Sequence, residues 1–305
     1  MKKQPTTLRV REAALLGDFL EQKMGGMTRT SIKNMLSRRI VHVNGAVEAR
    51  ADRQVNPGDE VQIQPGRGNS ALVHPKLQIV YEDDYLIVVE KKCGLLTVAA
   101  HPGATETTAF SILRDYVRRE SKRNGIYVVH RLDRETSGLL VFAKTQELQE
   151  YMRTYWRQIV TKRTYVAVAD GLIEKNSDTI RTWFTEDPKS TMVYSSPVDN
   201  GGKMAITHYK VVKRTAELGS EEAKSDKKQF TLLELNLDTG RTNQIRVHLS
   251  SIGHPVLSDR KYGNGESPLD RLALHARILE FIHPVTEEKV HFETPVPREF
   301  LHLFH

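Results

Sequence analysis

From Leu15 to Met35 the apolar residues recur at helical spacing, broken by Met24-Gly25-Gly26-Met27, which predicts two short helices over about 11–23 and 29–37. Thr28 or Thr30 is placed to cap the second. Ile40-Val41-His42-Val43-Asn44-Gly45 reads as a strand running into a turn, and Pro57-Gly58-Asp59 as a turn leading into the alternating Glu60-Val61-Gln62-Ile63. The first part of the chain is therefore a compact helix, helix, strand, turn, strand unit. On its second helix Arg29, Lys33 and the pair Arg38-Arg39 can share a face. Such a face either offers cations to phosphates or is an ordinary solvated basic surface.

Pro65-Gly66-Arg67-Gly68-Asn69-Ser70 is small, polar and rich in turn formers, so it reads as a linker. The expected division is a module at 1–66, a linker at 67–76 and a larger domain at 77–305. Strand signals dominate the larger domain, at 78–81, 86–89, 138–143, 164–168, 230–235 and 245–249, while 109–120 and 145–159 are amphipathic and predict helices. The two types do not alternate strictly, which favours an α+β class with a mixed sheet over a doubly wound one. Thr215 to Lys228 carries many charges and almost no apolar residues, so it is expected to be a mobile hairpin loop.

Charge sharpens this picture. Lys and Arg number 45 against 38 for Asp and Glu, and residues 1–75 alone hold twelve basic and seven acidic side chains, so five of the seven surplus charges lie in the first quarter. That asymmetry points to a polyanion, with nucleic acid the leading candidate. Cys93 is the single cysteine, which excludes an internal disulfide and any CxxC site. The start Met1-Lys2-Lys3-Gln4-Pro5 lacks an apolar leader, and no run approaches the ~18 apolar residues that span a bilayer. A cytoplasmic protein without membrane insertion is expected.

Two polar clusters can carry chemistry. His130-Arg131-Leu132-Asp133-Arg134-Glu135 joins the apolar runs 126–129 and 139–143. A carboxylate among arginines is suited to being held ionised, because nearby cations depress its pKa, although an isolated loop Asp more often bonds its own backbone. The kinase-like appearance of this stretch fails on the intervening Leu132 and on the missing glycine loop. Gly66-Arg67-Gly68-Asn69-Ser70-Ala71 lacks a following helix, and no GxxxxGK[ST] occurs, so nucleotide-triphosphate chemistry has no support. The second cluster, 237–248, reads as a glycine turn opening into a strand that brings Arg241 and Arg246 to one sheet edge, for a phosphate, a carboxylate or a surface ion pair. His248, His254, His275 and His283 lack metal-ligand spacing, so no metal is expected.

Taken in order, these blocks resemble the RluA-type family of pseudouridine synthases over about 77–300. The resemblance rests on Tyr81 to Lys91, on His130 to Leu140, on Lys162-Arg163-Thr164-Tyr165 and on Thr239 to His248. Gly253-His254-Pro255-Val256-Leu257, Tyr262-Gly263 and Leu274-His275-Ala276 continue it. Residues 9–65 resemble the alpha-L RNA-binding module of ribosomal-protein type. The chain departs from the RluA pattern at Lys92, where Pro is usual, and at Asn243, where His is usual; neither was expected to touch the catalytic residues.

The resemblance implies a mixed, mostly antiparallel sheet with a central cleft and an isomerase that converts uridine in RNA to pseudouridine without any cofactor. By the same analogy Asp133 is the catalytic carboxylate, Arg246 its ionic partner and Tyr165 a ring stacked on the uracil. Arg131 would fill the space left by the flipped base, and Arg241 would join Arg29, Lys33, Arg38 and Arg39 in binding RNA. The expected substrate is structured RNA, foremost ribosomal RNA of the large subunit, bound by a monomer. The rivals are a tRNA pseudouridine synthase, a catalytically idle RNA-binding protein on the same shell, and an Asp-dependent glycosidase needing a second carboxylate such as Glu135.

Overall fold

The computed structural model describes residues 6–24, 32, 35–36, 41–63, 72–101, 103–223, 227–263 and 268–304. Contacts divide the chain into a unit of residues 1–72 and a unit of residues 73–305.

In the first unit, β1 (Thr6–Arg9), β6 (Glu60–Ile63), β3 (Val41–Val43) and β4 (Ala46–Val47) form one antiparallel sheet in that order, and β2 (Ala14–Leu15) pairs with β5 (Gln54–Val55). Helix α1 (Leu16–Lys23) buries Leu16, Phe19 and Leu20 against Val41, Val43 and Val61. The helix begins later than the expected residue 11. Ala14 and Leu15 are taken into a strand pair, and Leu16 N and Gly17 N donate to Arg53 O and Ala51 O at 2.8 and 2.9 Å. Those bonds satisfy donors that every helix start leaves open. Ile32, Met35 and Leu36 are helical and buried in the same core, whereas Arg29, Lys33, Arg38, Arg39 and the capping Thr28 and Thr30 lie outside the described residues.

The second unit is built on one long sheet. Its strands are β7 (Leu77–Glu82), β8 (Leu86–Lys91), β9 (Tyr127–Val128), β10 (Ser137–Ala143), β11 (Val160–Asp170), β12 (Ser177–Glu186), β13 (Val193–Ser196), β14 (Lys203–Arg214), β15 (Phe230–Leu237), β16 (Leu274–Ile282) and β17 (Lys289–Glu293). They run in the order β13-β12-β14-β15-β11-β16-β10-β8-β7, with β9 and β17 at the side. All pairings are antiparallel except β10 with β16. The class is α+β with a mixed, mostly antiparallel sheet, as expected. Helices α2 (Ala109–Arg118), α3 (Gln146–Thr154), α4 (Trp156–Ile159), α5 (Gln244–Ser251) and α6 (Arg298–Leu301) complete it. Among the described residues no helix is long and apolar enough to cross a membrane.

The parallel pair explains why the sheet can hold a site at its middle. Ser137 and Gly138 of β10 lie opposite His275 and Ala276 of β16, and Ala276 in turn faces Tyr165 of β11. Gly138 has φ +120°, and a Cβ there would stand 2.2 Å from Ala276 O, so the close approach of the two strands requires glycine. Three segments far apart in sequence are thereby locked in register beside the loop that contains Asp133.

The structure departs from the predicted elements at three places. Residues 245–249 were expected as a strand but belong to α5, because Gln244 through Leu249 are all buried and a segment covered on every side shows no helical period. The single helix expected over 145–159 breaks at Tyr155 (φ −98°, ψ 15°) into α3 and α4. The charged stretch from Thr215 joins β14 to β15, an antiparallel pair, as a hairpin connection should.

Candidate active site

Asp133 sits in the loop between β9 and β10, and its chain neighbours are held by the segment that follows β8. Thr97 Oγ1 donates to Leu132 O at 2.8 Å and accepts from Leu132 N at 3.1 Å. Lys91 Nζ donates to Leu95 O at 2.7 Å and to Arg134 O at 3.1 Å, and Gly94 N also donates to Arg134 O at 2.9 Å. Lys91 and Thr97 are both buried, so the main chain on either side of the carboxylate is fixed from below. Burial lowers the Lys91 amine to about 8, and neighbouring acids, Asp133 among them, work against that shift.

Arg246, projecting from α5, is shared between two carboxylates unequally. Its Nε and Nη2 each reach Asp259 at 2.7 Å in a forked pair, while Nη1 stands 3.6 Å from Asp133 Oδ2. Asn243 Oδ1 accepts from the same Nη1 at 3.0 Å, and Asn243 Nδ2 donates to Tyr262 Oη at 3.2 Å. The Tyr262 ring lies under the guanidinium, 5.2 Å from its centre. Asp259 also accepts from Lys261 N and Tyr262 N. Burial raises the Asp259 carboxyl, but Arg246 and these amides outweigh it and hold the group below the ordinary carboxylate range.

Asp133 titrates the other way. Burial pushes its carboxyl above the ordinary 3.8, and the attraction of Arg246 and Lys91 only moderates the rise. The cations lower this pKa as expected, but burial is the larger effect, so the net shift is upward. One expectation fails. Asn243 does touch a site residue: it holds the one Arg246 nitrogen that faces Asp133, from a left-handed backbone position (φ 54°) at the start of α5.

These groups open on a cleft of about 1040 Å³ lined by Asp133, Tyr165, Arg246, Arg131 and Arg241, so five expected site residues are brought together. The Tyr165 phenol is pushed up by burial and by the Asp133 charge, so it is neutral at physiological pH. His130 lies under the cleft wall, with Val141 N donating to its Nε2 at 3.2 Å and the Trp156 ring 4.8 Å away. Burial lowers it to about 3. Arg153, Arg157, Arg163 and Lys261 line the same cleft, and the side chains of Arg163, Arg241 and Lys261 donate to carbonyl oxygens and pair with no carboxylate among the described residues, which leaves their charge unneutralised. Among the lining side chains the acids are Asp133 and Asp238, the latter paired with His208 at 3.0 Å. The cleft is strongly cationic around one recessed carboxylate.

Glu135 does not line the cleft and instead accepts from Cys93 Sγ at 3.1 Å, so it is not placed as the second acid of a glycosidase. The four histidines weighed as metal ligands have other partners: His248 contacts Thr182 and Thr207, His275 contacts Ser137 and Thr294, His283 contacts Asp83, and His254 contacts Asp170 O. Sequence reasoning missed Lys91, Thr97 and Asp259 as site residues. A signal existed for Asp259, which lies between Gly253-His254-Pro255-Val256-Leu257 and Tyr262-Gly263.

Comparisons with known proteins place the chain in a family. A family model described as RNA pseudouridylate synthase matches residues 85–251. An RNA pseudouridine synthase of Bacillus subtilis, YhcT, is 35% identical over 253 residues, covering 82% of this chain and 79% of the relative. The ribosomal large subunit pseudouridine synthase D of Haemophilus ducreyi is 31% identical over 326 residues, covering 99% of this chain and 95% of the relative. Among solved structures, human RNA pseudouridylate synthase domain containing 4 superposes with a TM-score of 0.57 at 23% identity, over 74% of this chain and 91% of that one. The corresponding human protein domain containing 1 gives 0.56 at 24% identity, over 74% and 85%.

Proposed function

We propose that this chain, which belongs to the RluA-type family of RNA pseudouridylate synthases and is an isomerase of uridine in RNA, acts on ribosomal RNA of the large subunit with Asp133 as its catalytic carboxylate. The observation that carries the assignment is the placement of Asp133: a carboxylate pinned by its own loop, 3.6 Å from Arg246, in a cationic cleft that also holds Tyr165. The reaction breaks the bond between the sugar and ring nitrogen one, turns the uracil, and joins the sugar to ring carbon five. The proton leaves that carbon and a proton ends on nitrogen one, so product and substrate are isomers and no redox carrier is consumed. Ionised Asp133 adds to the anomeric carbon, stabilises a cation there, or removes a sugar proton. Arg246 keeps it oriented and favours its charged form, and the Tyr165 ring stacks on the uracil. Arg131 fills the gap left in the RNA stack once the base has turned out, with Arg241 on phosphate.

The ribosomal substrate rests on the relatives named for it, of which that of Haemophilus ducreyi spans 99% of this chain. The first unit acts as an RNA-binding module, with Arg29, Lys33, Arg38 and Arg39 on phosphates, supported by the charge surplus of residues 1–75. A monomer remains the proposed state, and the single cysteine suits the cytoplasm.

Asp133→Asn should abolish tritium release from transcripts of large-subunit ribosomal RNA labelled at ring carbon five of uridine, with RNA affinity nearly unchanged. Wild-type release by the variant would refute the assignment. Removing residues 1–68 should weaken RNA binding and flatten its dependence on salt, since each lost phosphate contact lowers the slope by roughly 0.7 to 0.9. An unaltered slope would exclude the first unit from the interface.

A further inference from the structure

The elbow between α3 and α4 carries an aromatic pair that the reaction does not use. Met152 and Ile159 are buried beneath the elbow, and Leu148 and Trp156 pack on the same core. Outward from it stand Tyr151 and Tyr155, 43% and 45% exposed, with ring centroids 4.9 Å apart and planes inclined by 43°. The backbone of Tyr155 is bonded on both sides, its N donating to Tyr151 O at 2.9 Å and its O accepting from Gln158 N at 2.9 Å and Ile159 N at 3.0 Å. The plate is therefore held in place rather than carried on a free loop. Alternating with the tyrosines in sequence are Arg153 and Arg157, neither paired with a carboxylate among the described residues. Both arginines line the cleft that contains Asp133, as do Thr154, Trp156 and Gln158.

Two exposed rings that alternate in sequence with guanidinium groups lining a cationic cleft have the composition of a platform for single-stranded nucleic acid just outside that cleft. We propose that Tyr151 and Tyr155 form a stacking subsite for an unpaired base flanking the target uridine, with Arg153 and Arg157 on the adjoining phosphates. The inference rests on the reading that the cleft accepts RNA and adds where the strand leaves it. Stacking explains why the rings are presented to solvent. A subsite of this kind accepts any base, because each has a π-face, and so fixes the strand's path rather than its sequence.

The test uses the full chain and a single-stranded oligouridylate about ten nucleotides long, flagged as a probe with one 2-aminopurine whose fluorescence falls on stacking. Wild-type protein should quench it, and the double variant Tyr151→Phe/Tyr155→Phe should quench it equally, since the rings remain. Tyr151→Ala/Tyr155→Ala should lose the quenching and bind about tenfold more weakly. Tyr155→Leu keeps bulk on the elbow without a π-face and should also lose quenching. Arg153→Gln/Arg157→Gln should retain quenching but lower the salt slope by about 1.4. Full quenching by the alanine or leucine variants, equal loss in the phenylalanine variant, or a change of oligomeric state in place of RNA affinity would each overturn the proposal. A wild-type protein inactive on ribosomal transcripts would sink the proposed function while leaving this quenching intact, so the two failures are distinguishable.

Discussion

Arg246 offers three nitrogens, and the way it divides them sets the chemistry of Asp133. The forked 2.7 Å pair with Asp259 is buried and charge-assisted, the strong type of contact, whereas the 3.6 Å approach to Asp133 is looser. Asp133 is thereby only partly neutralised, and burial raises its carboxyl above the ordinary 3.8. Since the ionised form is the reactive one, activity should fall as pH drops through this raised value, placing the acid limb of kcat/KM above 3.8. Asp259→Asn removes a competitor for Arg246 and a negative charge that disfavours ionisation of Asp133, and both changes act in one direction. The acid limb should move to lower pH, while kcat falls about tenfold or more because the guanidinium loses its anchor. A pH profile of tritium release for wild type and variant measures both, and an unmoved limb would separate Asp259 from the titration of Asp133.

At the scale of elements, the catalytic loop is rigid because of the strand-and-turn segment beneath it. Thr97→Val preserves the shape of the side chain but deprives Leu132 N and O of their buried partner, which costs about 1–3 kcal/mol for the unpaired groups. The loss should appear in kcat more than in KM, and Thr97→Ser should restore it; equal kcat in all three proteins would mean that the loop is held by Lys91 and Gly94 alone. Asp133, Tyr165 and Arg246 were legible as candidates through the family resemblance, because each lies in a motif that keeps its order along the chain, and the three line one cleft. It did not reveal Thr97 or Asp259, because a buried hydroxyl and a buried acid look like loop polar residues until their partners are known. The same limit applies to fold. Strands with a clean apolar run, such as β8 and β10, were legible. Exposed and mixed strands such as β12 and β14 were not, since Thr, Lys and Arg fill their outer positions and only pairing reveals them. Helix α5 was misread as a strand because its tertiary surroundings bury it all round.

For the molecule as a whole, the sheet that aligns the site also stores an acid sensitivity. His130, His248 and His275 are kept neutral by burial, lowered from 6.5 to about 3, 4 and 3 respectively. His275 bridges β10 to Thr294: the Ser137 hydroxyl, which accepts from Arg271, lies 2.7 Å from Nδ1, and Nε2 lies 2.8 Å from Thr294 Oγ1. An unfolded chain binds protons at these groups near pH 6.5 and the folded chain does not, so stability is fully present above that value and declines as pH falls below it. Each histidine contributes a slope of up to about 1.4 kcal/mol per pH unit within the window. The depressed carboxylates Asp83, Asp259 and Glu48 are lost only as pH falls below their ordinary values of 3.8 and 4.5. The raised carboxyl of Asp133 works in the opposite sense, because its folded form gains a proton first. Between about pH 6.5 and 4.5 the histidines should therefore dominate. Urea midpoints should fall steadily over that range, and His275→Gln should be less stable than wild type at pH 7.5 yet lose less on acidification. A midpoint independent of pH from 7.5 to 4.5 would mean that these rings are protonated at little cost in the fold, and that the sheet around the site opens more readily than its burial implies.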